Sequence, residues 1–190
     1  MRNFGKLAVA TLLLLVPAAA TAQSVGATLG VGYYMPTGSD YKGYDNAVGF
    51  DGRAFAQFGG GFEFGVGISH IAFAASESGI SIDIPHWELY AEPRFNIPTP
   101  FGFKPFLGAR LGWIHQSMSL FGVDASTNGV TVGATAGGTF AFNRAVGLEL
   151  ALLVAHHAFG DTTVGGVSAT GSSFSGQTIG LRAGLRIGLP

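Results

Sequence analysis

The 190-residue chain contains no cysteine, which excludes disulfide frameworks, thiolate metal sites and cysteine nucleophiles together. Charge is nearly as scarce. Only 11% of residues are Asp, Glu, Lys or Arg, against about 25% in ordinary soluble domains, so a normal water-facing surface cannot be assembled from them. No basic patch exists to neutralise phosphates, which argues against a nucleic-acid partner. No apolar run beyond Val16 approaches the ~20 residues of a spanning helix, so any passage through a bilayer must be made by a closed sheet. No glycine-rich stretch leads into the Lys-Ser/Thr pair of a phosphate loop.

At the N-terminus Arg2 and Lys6 precede the apolar run Leu7 to Val16, and Ala20-Thr21-Ala22 offers a small-x-small cleavage site before Gln23. Residues 1–22 read as a cleaved signal peptide. The remaining 168 residues, 23–190, suit one domain and carry eight Lys+Arg and eleven Asp+Glu, a net charge of −3 with His neutral. Lys42 and Lys104 are the two lysines left, both in segments that read as loops.

The last stretch alternates without exception. Ile179, Leu181, Ala183, Leu185, Ile187 and Leu189 interleave with Gly180, Arg182, Gly184, Arg186 and Gly188, which is a strand with one apolar face and one narrow polar face. Seven further segments read the same way, at about 24–35, 47–58, 62–74, 84–96, 105–119, 129–142 and 145–158. Gly59-Gly60-Gly61, Ile97 to Lys104 and Asn143-Arg144 make the tighter joints. Pro36 to Asn46, Ser76 to Asp83, Leu120 to Asn128 and Gly160 to Ser173 make the longer, more polar ones. Eight strands with short turns at one rim and longer loops at the other predict an all-β, eight-stranded antiparallel up-and-down transmembrane barrel.

Parity puts Asp51, Glu63, Glu88, Glu92 and Glu149 on the non-lipid side with Arg53, Arg94, Arg110, Arg182 and Arg186. Five charges of each sign in an interior just wide enough for side chains predict a plugged, neutral lumen with negligible conductance, a structural network rather than an ion path. Inward glycines such as Gly65, Gly108 and Gly112 leave room for those long side chains. Rings gather at strand ends, as an interfacial belt requires: Phe58, Phe62, Phe64, Phe95, Phe140 and Phe142 toward the short-turn rim, Tyr33, Trp87 and Trp113 toward the other.

With signal peptide, eight alternating strands and the closing segment Arg182-Ala183-Gly184-Leu185-Arg186-Ile187-Gly188-Leu189, residues 23–190 resemble the small outer-membrane β-barrel family. This family includes the transmembrane domain of outer membrane protein A and the opacity-like surface proteins. The closing segment looks like the family's C-terminal insertion signal, although Pro190 follows Leu189 where an aromatic usually ends it. The resemblance implies an outer-membrane location in a Gram-negative bacterium with loops extracellular. The implied partners are outer-membrane lipid, lipopolysaccharide and the barrel-assembly machinery. It implies no particular task and no cofactor.

Two other readings remain open from the residues. His115 and Ser117 stand two apart on one strand face, the spacing of a base and a nucleophile, and lipid A deacylases of the outer membrane are similar here. In this chain Asp124 is the nearby acid, in a segment read as loop. Alternatively, the same alternation could build a soluble periplasmic carrier, with the Leu, Ile and Val set inside and the Arg and Glu set in water. His156-His157 cannot readily share one metal ion, since adjacent strand residues face opposite ways, and His70 and His86 lack ligand spacing. In the first long loop Tyr41, Tyr44 and Asp45 are candidates for contact with a receptor, matrix or saccharide, whereas the loop 160–173 reads as merely soluble.

Overall fold

The protein is described here by a computed structural model, over residues 23–77, 80–100, 102–120 and 122–189. The expected signal peptide, residues 1–22, and Pro190 lie outside the described residues. Eight long strands follow one another in antiparallel hairpins: β1 (Ser24–Thr37), β2 (Ala47–Gln57), β3 (Phe62–Glu77), β4 (Ile80–Asn96), β5 (Phe103–Leu120), β6 (Val123–Ala141), β7 (Val146–Phe159) and, after a two-stranded excursion, β10 (Ser175–Leu189). The excursion is the hairpin β8 (Thr162–Val164) and β9 (Val167–Ala169), which pairs through β8 with the start of β6. Each barrel strand pairs with both neighbours, and the β1–β10 pairing, from Val25↔Leu189 to Thr37↔Gln177, shuts the sheet. Closure removes the free edges and satisfies the backbone within the wall, the condition for crossing lipid.

The period-two pattern sorts the side chains across that wall. Leu29 and Phe50 are each 65% exposed on the outside, whereas Glu63 and Arg110 are 0% exposed in the lumen. This overturns the periplasmic-carrier reading, because the apolar set faces outward and the Arg and Glu set is the interior.

Four joints differ from the sequence reading. Ser76 to Asp83 and Leu120 to Asn128 are not loops: β3 runs to Glu77 and β4 starts at Ile80, while β5 and β6 stay paired up to Leu120↔Val123. Asp124 therefore sits in a strand, opposite Ser119. Backbone hydrogen bonds continue a ladder whether or not the outer face is apolar, so a change to Ser, Thr and Asp marks the end of the lipid zone and not the end of the strand. The 160–173 segment likewise folds into β8 and β9. Its turn at Gly165 and Gly166 has φ of 55° and 86°, the positive pair that a tight two-residue hairpin demands. At the joint 97–104, Ile97 N–H donates to Pro105 O at 2.8 Å and the Thr99 hydroxyl donates to Phe103 O, drawing Phe103 and Lys104 into β5.

Candidate functional site: a charge-filled lumen between two mouths

All ten parity-assigned charges stand in the lumen and form one continuous chain of ion pairs. From the long-hairpin rim, the outer side in the expected orientation, Glu88 meets Arg110 at 3.4 Å, Arg110 meets Asp51 at 3.0 Å, and Asp51 meets Arg182 at 3.2 Å. Arg182 reaches Glu92 at 3.5 Å, Glu92 pairs closely with Arg94, and Arg94 reaches Glu149 at 2.8 Å. Glu149 is shared with Arg53 and Arg186, each at 3.4 Å, and both converge on Glu63 at 2.7 and 2.5 Å.

Buried charge is tolerable only when paired and hydrogen-bonded, and neighbouring hydroxyls add to the pairing. The Tyr90 hydroxyl donates to Asp51 at 2.9 Å, and the Ser69 hydroxyl donates to Glu88 at 3.0 Å. Rings cover the guanidinium faces: Tyr90 under Arg110 at 3.4 Å, Phe106 under Arg94 at 4.1 Å and Phe55 under Arg186 at 3.7 Å. Glycine supplies the space. A Cβ at Gly65 would stand 2.8 Å from the Arg53 guanidinium, and one at Gly112 would stand 2.5 Å from Glu88 Oε1.

Toward the outer mouth the filling changes from charge to rings. Tyr34, Phe73, His86, Ile114, His157 and Phe159 are all buried there. The first long loop, through the 3-10 turn Ser39–Tyr41, drives Tyr41 down into them. Tyr41 stacks on Tyr44 at 4.9 Å, lies 6.1 Å from His86 and 6.3 Å from His157, and leaves no space for a side chain at Gly176. Tyr41 is only 2% exposed, which corrects its reading as a receptor contact: a large ring beside an apolar mouth gains more from burial than from display in water. Tyr44 is half-buried, its hydroxyl accepting from Gln116 Nε2 at 2.8 Å, and Asp45 is exposed with its N–H bonded to Ala74 O. Burial pushes the Tyr41 hydroxyl well above the usual phenol range, with Tyr44 adding to it, and raises Tyr44 also. Sequence reasoning missed this plug, since its only signal is two tyrosines among Gly, Ser, Lys and Asp.

The histidines separate by face. His157 points in, its two ring nitrogens 3.0 and 3.1 Å from the Thr131 and Thr178 hydroxyls, while His156 points out. The fold brings His86 to within 6.4 Å of His157, ring to ring, although nothing in their sequence spacing links them. Among the described residues no three His, Cys, Asp or Glu side chains converge as metal ligands.

On the outer wall, His70, Trp87 and His115 are successive register partners across β3, β4 and β5, with His70 and Trp87 at 4.3 Å and Trp113 stacked on His115 at 6.0 Å. Tyr33 and Trp87 are exposed at this rim; Phe62, Phe95, Phe140 and Phe142 are exposed at the other, where Phe58 and Phe64 are half-exposed. The His115 Nδ1 lies 2.9 Å from the Asn128 amide oxygen directly across the ladder, and Ser117 faces Ser126. Asp124 lies four residues farther along β6, roughly 13 Å from Asn128 at strand rise. The fold therefore places an amide, not a carboxylate, against the candidate base.

The wall and its filling define the class: a closed eight-stranded barrel of the small outer-membrane type, apolar outside and charge-plugged within. No family model matches the sequence, and no curated protein matches it. Solved structures share the fold. Neisserial surface protein A is 19% identical, with a TM-score of 0.62 over 86% of this chain and 95% of that one. The outer membrane protein OprG from Pseudomonas aeruginosa is 10% identical, with 0.56 over 89% and 97%. Ail, the attachment invasion locus protein of Yersinia pestis, is 16% identical, with 0.50 over 86% and 98%.

Proposed function

We propose that residues 23–190, freed of a signal peptide at 1–22, form an integral outer-membrane protein of a Gram-negative bacterium. The observation that carries this reading is the pairing of an exposed apolar wall with a neutral interior of ten linked charges. Lipid and lipopolysaccharide chains cover the wall, the assembly machinery receives the C-terminal strand β10, and the long hairpins stand outside the cell. The protein adds structure to the envelope and offers its outer rim to other molecules. It is not an enzyme in this reading: His115 meets Asn128, and the charged network lies out of reach of substrate.

The outer rim limits its partners. Asp40, Asp45, Glu77, Asp83, Asp124 and Asp161 belong to outer loops and strand ends, with Lys42 as the single opposing charge, a net of −5. Such a surface repels sulfated and phosphorylated polymers and attracts cationic ones.

The test is the gel mobility of boiled against unboiled protein from purified outer membranes. A faster unboiled form in that fraction is the expected result; a soluble periplasmic protein with one mobility would overturn the reading.

A further inference from the structure

The charges that remain after the lumen network and the outer rim are counted are Lys104 and Arg144, and both are at the inner mouth. They line a vestibule of about 530 Å³ whose floor includes Arg186. Its other lining residues include Gln57, Asn96 and Thr139, and among the described residues no carboxylate lines it. The network beneath is balanced five against five, so the two rim cations are surplus and the potential at this mouth is positive, opposite to that of the outer rim.

The cavity is built rather than incidental. Lys104 falls in register with the inward positions Phe106 and Arg110 of β5, which aims it at the axis. Arg144 sits in a hairpin turn tied by Asn143 Oδ1, which accepts from Ala145 and Val146 N–H at 2.8 and 2.9 Å, and Gly188 N–H bonds to Ala145 O at 2.8 Å. A Cβ at Gly188 would meet nothing within 4 Å, so the space on that side is open. Arg186 already serves Glu63 and Glu149, and its side chain remains 14% exposed toward the mouth.

We infer that the inner vestibule binds a phosphate ester with a small hydroxylated body. Cations on separate elements suit the divergent oxygens of a phosphate better than a planar carboxylate, which one Arg satisfies in a bidentate pair. Phosphate alone would fill little of the volume, and Gln57, Asn96 and Thr139 supply amide and hydroxyl partners for a polyol or sugar portion. Given the orientation under the proposed function, this mouth opens on the periplasm. The ester is either a soluble polyol or sugar phosphate or the headgroup of an inner-leaflet phospholipid folded over the rim.

The experiment uses purified barrel, its closure verified by unboiled gel mobility, in phosphatidylcholine nanodiscs titrated with glycerol 3-phosphate and followed by ³¹P NMR. A parallel sample replaces half of the lipid with phosphatidylglycerol, and protein-dependent broadening of that lipid's signal is read. Saturable binding of glycerol 3-phosphate identifies a soluble ligand; selective broadening of phosphatidylglycerol identifies a headgroup. In either case Lys104→Gln with Arg144→Gln weakens the effect by roughly tenfold or more, while Lys42→Gln, at the far mouth, leaves it unchanged. No effect with either probe, equal binding by the double variant, or equal loss in Lys42→Gln overturns the inference. A barrel that fails the mobility check fails the proposed function instead.

Discussion

At the residue scale the charged network governs stability. Arg110 is fully buried between Asp51 and Glu88 with its face on Tyr90. Arg110→Met would leave two carboxylates short of a partner, and breaking a buried pair in this one-sided way costs about 3–5 kcal/mol. The expected outcome is a lower urea midpoint for unfolding from detergent, with gel mobility of the surviving fold unchanged. Reversing a pair tests the same physics without deletion: Arg53→Glu with Glu63→Arg restores that pair but sets like charges against Glu149 and Arg186, so it should recover only part of the loss that either single variant shows. Gly112→Val is expected to lower the yield of folded protein, because its Cβ would stand 2.5 Å from Glu88 Oε1 and force that carboxylate away from Arg110. Yield of the faster-migrating form on refolding measures this.

At the element scale the two mouths differ, since the inner one opens into the vestibule floored by Arg186. The outer one is stoppered by the loop carrying Tyr41, below which His86, Phe73 and His157 complete the packing. Tyr41→Ala removes the ring and leaves a cavity, an expected loss of about 3–5 kcal/mol by analogy with other large aromatic truncations. Conductance in planar bilayers should nonetheless stay at baseline, since the ion-pair chain lies beneath; stable channels in this variant would show that the loop alone blocks the path. The paired extensions of β3–β4 and β5–β6 make a further test. Protease added to intact cells is expected to cut within 160–173, and to spare the joint at 97–104 until the outer membrane is permeabilised.

At the scale of the whole molecule, charge is divided into three zones: a rim of −5 outside, a neutral lumen and a rim of +2 inside. The −5 rim predicts that intact cells carrying the protein gain no retention on immobilised heparin at physiological salt. They should instead bind a cationic peptide such as polylysine more than cells without it, an increment that salt reduces as screening sets in over about 8 Å. Heparin retention that depended on the protein would contradict the acidic outer face.

How much of this was legible without a fold varies with the physical signal. Alternation in Ile179 to Leu189 and in Val146 to Val154 needs only neighbouring residues to be read, so strands, faces and the membership of the lumen follow from it. Strand ends do not. Ser117, Ser119 and Asp124 carry no apolar signal, yet the ladder runs through them because backbone pairing is indifferent to side-chain polarity. The candidate pair His115 and Ser117 was legible as a spacing, but what opposes it across the ladder depended on register.

The sequence by itself determined that the chain has no cysteine chemistry, no spanning helix and too little charge for a water-covered surface, and that ten charges share the inward parity. Those properties are local or compositional, and two residues of context suffice for each. Only the tertiary structure decided that the ten charges form one linked chain, that Tyr41 turns inward as a stopper, that His86 and His157 meet, and that Lys104 and Arg144 share one vestibule. Each of these joins residues far apart in the chain, and their distance is set by closure of the barrel and strand register, which no short window of sequence contains.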